Sequence, residues 1–282
     1  MSLRILTDSA SDLVNYNNEK LSFVPLTITY GDEEYQDSVN LTHEEFYEKL
    51  IETDELPKTS QVAPYVFEEE YEKAKAAGDT LLVITLSSKL SGTYQSANIA
   101  RDGYEDMVYI VDSKNVTVGE AVLIEYALRL IDEGKDVEEI VKILEEAREK
   151  VVTIGLLDTL EYLKKGGRIS KTAAFAGNLL SIKPVICIED GEVAILGKAR
   201  GSKQGNNLLM QQIDKYGGID FDMPLFLGYA GLSDAVLQKY IADSAHIWKD
   251  KKDSLPILSV GGTIGTHVGP GAIALAFFSN MN

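Results

Sequence analysis

Cysteine occurs once in the 282 residues, tryptophan once and histidine three times. The lone Cys187, inside the apolar run Pro184 to Ile188, has no partner for an internal bridge, which suits a reducing compartment. His43, His246 and His267 show no ligand spacing with one another, so no zinc site is expected. Basic side chains are also scarce: 27 Lys and Arg stand against 44 Asp and Glu, a formal charge of −17. Replacing counterions on a phosphate backbone or an anionic bilayer needs a positive surface, so nucleic acid and membrane surfaces are excluded as main partners. No uncharged run has the length and hydrophobicity of a membrane span, and the amino terminus lacks the apolar core of a secretory signal. The expected location is cytoplasmic.

The common catalytic signatures are missing as well. Without Gly-Lys-Ser or Gly-Lys-Thr there is no loop of the P-loop type to cradle phosphates. Gly269-Pro270-Gly271-Ala272-Ile273-Ala274 fits a relaxed dinucleotide fingerprint, but no second strand or ribose-binding acid follows it. It reads as a turn that starts a helix. Ser233 has a glycine on only one side of a nucleophile elbow, and Ser-x-x-Lys does not occur. Asp220-Phe221-Asp222 reads as a solvated turn and Cys187 as small core packing.

What is present is an alternation of short β-branched runs and longer amphipathic ones, the pattern of an α/β protein. The length fits two modest domains. Residues 1–152 predict an N-terminal three-layer domain on a parallel sheet, with a small hairpin insert near 23–37. Its strands are Arg4 to Thr7, Phe23 to Tyr30, Thr80 to Leu86 and Met107 to Val111. Its helices start at the capping box Thr42-His43-Glu44-Glu45, at Thr93, at Glu120 and at Val137. Residues 153–282 predict a mixed-sheet α/β domain. It begins with a strand from Val151 to Leu156, followed by a helix interrupted by Gly166-Gly167 and a second helix to Ile182. A hairpin from Val185 to Leu196, a strand at Leu225 to Tyr229, a helix from Asp234 to Trp248, a strand at Ile257 to Val260 and a last helix after Pro270 complete it. With no Pro/Gly/Ser linker near 152, the domains are expected to pack directly and leave a cleft.

Hydroxyls concentrate at turns after strands: Thr59 and Ser60, then Ser87, Ser88, Ser91 and Thr93. Ser91 precedes Gly92 at a helix start, where free amides and the helix dipole attract an anion and a hydroxyl can donate to a carboxylate. Gly92 leaves room for a ligand to approach the backbone. The plainer reading of Ser91 and Thr59 is helix capping. A glycine-rich stretch, Gly261 to Gly271, holds His267 at the expected start of the last helix, within reach of a carboxylate or phosphate. Arg168 and Arg200 lie in basic islands of an acidic chain and could grip a phosphate or an acidic partner in bidentate fashion.

Five motifs in one order resemble the DegV family. They are Asp8-Ser9-x-x-Asp12-Leu13, Lys58-Thr59-Ser60-Gln61, Leu86 to Gln95, Tyr162 to Ile169, and Gly265-Thr266-His267-x-Gly269-Pro270-Gly271. Together they span nearly the whole chain. The resemblance implies a bacterial two-domain protein that binds a long-chain, palmitate-like fatty acid, its tail in an apolar tunnel and its carboxylate held by Thr59 and Ser91. Some members serve as the binding subunit of a fatty-acid kinase, whose ATP-dependent partner phosphorylates the presented carboxylate. His267, Arg168 and Arg200 match positions tied to the head group or to kinase engagement. The resemblance implies no cofactor, no catalytic residue of the chain's own and no integral membrane association. The lipid site is expected between or adjoining the domains, and Gly166-Gly167 is a candidate lid hinge. Two competing readings are a serine-dependent hydrolase or phosphotransferase using Ser91 and His267, and a regulator that senses lipid without handing it on.

Overall fold

The computed structural model describes residues 2–53, 55–169 and 182–280. Strand β1 (Leu3–Asp8) pairs in parallel with β2 (Leu21–Val24). The expected single strand from Phe23 to Tyr30 is two. Pro25, which has no N–H for a ladder, falls at the break, and β3 (Thr27–Tyr30) leaves for another sheet. There it forms an antiparallel hairpin with β4 (Glu33–Gln36) and pairs on its other edge with β5 (Lys58–Ser60). Thr59 and Ser60 therefore belong to a short strand rather than a turn. Between them α1 (His43–Glu52) begins at the predicted capping box, with Thr42 and Glu45 bonded reciprocally. Helix α2 (Pro64–Ala77), not foreseen from the sequence, starts at a proline and ends at Gly78 with φ +73.

Strand β6 (Thr80–Thr85), α3 (Thr93–Ala100) and β7 (Val108–Asp112) complete a four-stranded all-parallel sheet in the order β2-β1-β6-β7. Its apolar run is buried on both faces. Leu81 and Val83 pack toward Phe67, Tyr71 and Ala97 of α2 and α3. Leu82 and Ile84 pack toward α4 (Val118–Asp132) and α5 (Val137–Ala147). Helix α4 is shared: the cluster that joins it to Ile5, Leu82 and Ile84 also contains Phe226, Ala276 and Phe278 of the second sheet.

That second sheet has six strands. They are β8 (Val151–Leu156), β9 (Ile182–Glu189), β10 (Glu192–Arg200), β11 (Leu225–Tyr229), β12 (Ile257–Ser259) and β13 (Ile273–Phe278), in the order β10-β9-β8-β13-β11-β12. Only β11 and β12 pair in parallel. Short α6 (Glu161–Lys165) follows β8; the expected second helix, ending at Ile182, falls mostly on 170–181, outside the described residues. Helix α7 (Gly201–Lys215), absent from the sequence reading, joins α8 (Ala235–Asp243) and α9 (Ala245–Trp248) on the outer face. The last two were expected as one helix. They part at Ser244, whose hydroxyl bonds back to Tyr240 O at 2.6 Å and accepts Trp248 Nε1 at 2.9 Å.

The end of the chain reverses the expectation. The helix lies before Pro270, as α10 (Gly262–Val268), and the residues after it form strand β13, paired on both sides in the middle of the sheet. A contiguous apolar run there, Ile273 to Phe278, meets the needs of a strand covered on both faces. His267 consequently stands in the last turn of a helix, not the first.

Candidate functional site

A partly open cavity, about 930 Å³ of atom-free space counted together with the solvent at its mouth, lies between loops of the parallel-sheet domain and the inner face of the six-stranded sheet. From the first domain come Leu26, Leu86, Leu90 and Val116. From the sheet come Thr153, Gly155 and Leu157 at alternate positions along and just beyond β8, with Ile186 and Ile188 on β9 and Ala272 and Ala274 at and before β13. The register sets Gly155 between Ile186 and Ala274. Small residues thus form the bottom of a groove and branched ones its flank. At ~3.3 Å per residue, the step from Thr153 to Leu157 alone covers about 13 Å.

At the α6 end of this groove the polar groups meet. Thr59 Oγ1 is 2.9 Å from His267 Nε2. His267 Nδ1 is buried without a hydrogen-bond partner. It abuts Gly166, where an added Cβ would lie 2.1 Å from that nitrogen. A proton on Nδ1 would be a buried donor with no acceptor, so the favoured tautomer carries it on Nε2 and donates to Thr59. Burial, followed by the neighbouring Arg168 guanidinium, pulls the imidazole down to about 4, so it is neutral at pH 7. Arg168 donates from Nε to Leu90 O at 3.2 Å and from Nη1 to Gly166 O at 2.8 Å. Its guanidinium thereby joins the residue before Ser91 to the glycine under His267. Ser91 Oγ is 2.9 Å from Thr93 Oγ1 and accepts Thr93 N–H at 3.3 Å, while Thr93 Oγ1 accepts Val62 N–H at 3.3 Å.

Of the residues singled out from sequence, Thr59, Ser60, Ser91, Arg168 and His267 line the cavity. Thr93 is fully buried and supports Ser91 from behind. Gly92 has another neighbour than expected: a Cβ there would lie 1.9 Å from Gln61 Oε1, so the carboxamide of Gln61, which donates to Ser96 Oγ at 2.8 Å, fills the space reserved for a ligand. Arg200 is exposed at the end of β10, outside the cavity wall, with its N–H on Gln204 Oε1 at 3.0 Å. Cys187 is buried in β9 and burial pushes its thiol up to about 11. A serine–histidine pair is not assembled: His267 bonds Thr59, Ser91 bonds Thr93, and the histidine's other nitrogen has no carboxylate to orient it.

Sequence reasoning missed the frame that holds this end in place. Asp37, buried and without a motif to mark it, accepts Ser9 Oγ at 3.0 Å and the N–H groups of Gly262 and Thr263 at 3.1 and 3.2 Å. Asp12 accepts Gly261 N–H at 2.8 Å and the Thr117 hydroxyl. Two carboxyl groups of the first domain, Asp12 and Asp37, therefore satisfy the free amides that start α10. Among the described residues no group of histidine, cysteine and carboxylate side chains is arranged to hold a metal ion, and no helix is long and apolar enough to cross a membrane.

Comparison with known proteins matches this arrangement to one family. The profile described as "uncharacterised protein, DegV family" matches residues 2–280. A DegV domain-containing protein of Caldanaerobacter subterraneus is 34% identical over 280 residues, covering 98% of each chain. Among solved structures, a fatty-acid-binding DegV family protein of Thermus thermophilus superposes with a TM-score of 0.86 at 29% identity, covering 99% of this chain and 100% of that one. The fatty acid kinase (Fak) B3 protein of Streptococcus pneumoniae, loaded with linoleic acid, gives 0.85 at 25% identity with 99% and 100% covered. A DegV family protein of Eubacterium eligens loaded with heptadecanoic acid gives 0.83 at 26% identity, again with 99% and 100% covered.

Proposed function

The chain belongs to the DegV family, and we propose that it binds a long-chain, palmitate-like fatty acid in the cavity between its sheets and presents the carboxylate to a separate ATP-dependent kinase. One observation carries the reading: an apolar groove that runs at least from Thr153 to Leu157 ends in a connected set of hydroxyl, imidazole and guanidinium groups. An acyl chain of about sixteen carbons, at about 0.8 kcal/mol per methylene, offers on the order of 10 kcal/mol before ordering costs. Its carboxylate must keep hydrogen bonds once buried.

Two hydroxyls suit that need. With His267 Nε2–H donating to Thr59, the Thr59 proton is free for the ligand. With Thr93 donating to Ser91, the Ser91 proton is free as well. Arg168, exposed at the same end, supplies positive charge for the carboxylate or for the phosphoryl group that a partner brings. The fatty-acid ligands of the Thermus and Eubacterium proteins and the kinase-subunit name of the Streptococcus protein support the same reading.

Native mass spectrometry of the purified protein, before and after organic extraction and reloading, tests it. The expected result is one acyl chain per protein, converted to acyl phosphate once kinase and ATP are added. A protein that carries no acid and takes none up overturns the binding role; one that binds acid yet never yields product is a sensor and overturns the presenting role.

A further inference from the structure

The groove has a second end, and a second recess lies behind it. Thr153 and Ile188 line both spaces. The recess behind them, about 1080 Å³ of space open toward solvent, is bordered by charged residues including Lys114, Arg148 and Glu149. The partition is built with care for its polar atoms. Thr153 is buried and its hydroxyl donates to Asn115 Oδ1 at 2.7 Å. Asn115 is pinned in turn, its N–H on Ser113 Oγ at 3.0 Å and its Nδ2 on Ser113 O at 3.3 Å. The pair rests on the first turn of α4 at Gly119, where a Cβ would come within 2.2 Å of Thr153 Oγ1 and 2.4 Å of Asn115 Oδ1.

We propose that the Thr153–Asn115 pair, seated on Gly119, is the stop that fixes the longest acyl chain the cavity accepts. A tail that ends against Thr153 stays in apolar company throughout. A longer tail has two ways forward. It displaces Thr153 and leaves the buried Asn115 oxygen without its donor, or it emerges among Lys114, Arg148 and Glu149. Either outcome offsets what the added methylenes contribute. The ligand class this predicts is a straight-chain acid with a sharp upper length limit, set by a side chain of the sheet and an asparagine of the other domain. The inference rests on the fatty-acid reading, and its test separates the two.

Dissociation constants are measured for a ladder of saturated acids of ~12 to ~22 carbons with wild type, Thr153→Ala, Thr153→Val and Ile188→Ala. For wild type, affinity is expected to rise with length up to a break and then fall. Thr153→Ala, which removes two heavy atoms from the partition, moves the break about two carbons longer, so that the first acid beyond the wild-type limit binds about tenfold more tightly than it does to wild type. Ile188→Ala thins the same wall from β9 and moves the break in the same direction, which keeps the test open if Thr153→Ala folds poorly. Thr153→Val keeps the volume but loses the bond to Asn115, so it moves the break by less than Thr153→Ala does. A break that stays put in both alanine variants overturns the stop while leaving fatty-acid binding intact. A wild-type protein that binds no member of the ladder overturns the binding reading itself, and the stop with it.

Discussion

At position 166 the side chain is one hydrogen because the imidazole of His267 takes the rest of the space. The backbone there, φ −73, suits any residue, so glycine is needed for its size and not for its conformation. Gly166→Ala is therefore expected to push His267 off Thr59 without disturbing α6. Fatty-acid affinity should fall by about tenfold, the worth of one hydrogen bond to a charged group. The ¹⁵N shifts of the His267 ring should move away from the Nε2–H tautomer. Unchanged affinity together with unchanged ring shifts would contradict this account of the histidine. The sequence displayed Gly166-Gly167 as a hinge candidate and His267 as a candidate ligand contact, but 100 residues of intervening chain hid the fact that one is the seat of the other.

Helix α10 shows what an element needs beyond its own residues. It has seven residues, with glycine at 262 and 265, too short and too weak in propensity to persist alone. Gly262 and Gly265 let it approach Phe46 and Tyr47 of α1, where a Cβ would lie 2.6 to 2.9 Å from the nearest atoms of those side chains, and Gly262 also meets Ile28 of β3 at 2.5 Å. Its first amides are held by Asp12 and Asp37 from the other domain. Asp37→Ala leaves two buried N–H groups without an acceptor and should lower stability by about 2–4 kcal/mol, read as a shift of the denaturation midpoint in urea. A midpoint like that of wild type would mean that water replaces the carboxylate. The expectation of a helix after Pro270 failed for a related reason. Glycine and proline announce a turn there, but which side of it becomes helix depends on these contacts, while Ile273 to Phe278 is claimed by the gap between β8 and β11. By contrast α1, α3, β11 and the β9–β10 hairpin carry their signals locally, in caps, turn glycines and short apolar runs, and formed where the sequence placed them.

Across the whole molecule, acidity is buried as well as displayed. Asp8, Asp12 and Glu120 are enclosed near the end of β1 and the start of α4, and burial raises all three. Asp8 reaches about 7, its bonds to the Leu86 and Ala10 amides opposing the shift in part. The folded carboxyl keeps its proton up to that pH, whereas the unfolded one releases it near 4, so the native state binds more protons in between. Its contribution to stability is full below about pH 4 and is lost as pH rises through about 7. Melting temperatures at pH 5 and pH 8 should therefore differ by less in Asp8→Asn than in wild type. An equal difference would show that Asp8 is ionised in the fold throughout. The net charge of −17 gave no hint of this, because composition counts carboxylates without saying which are out of water.

The sequence by itself determined the α/β class, the two-domain plan and the positions of most strands. These follow from periodicity and from short motifs, which act over a few residues of contiguous chain. Only the tertiary structure decided that Thr59 meets His267, that Gln61 fills the space beside Gly92, that Arg200 stands apart and that Thr153 bonds Asn115. Each of those is a contact between segments distant in sequence, and such contacts are fixed by how the sheets and helices pack, which no local pattern encodes.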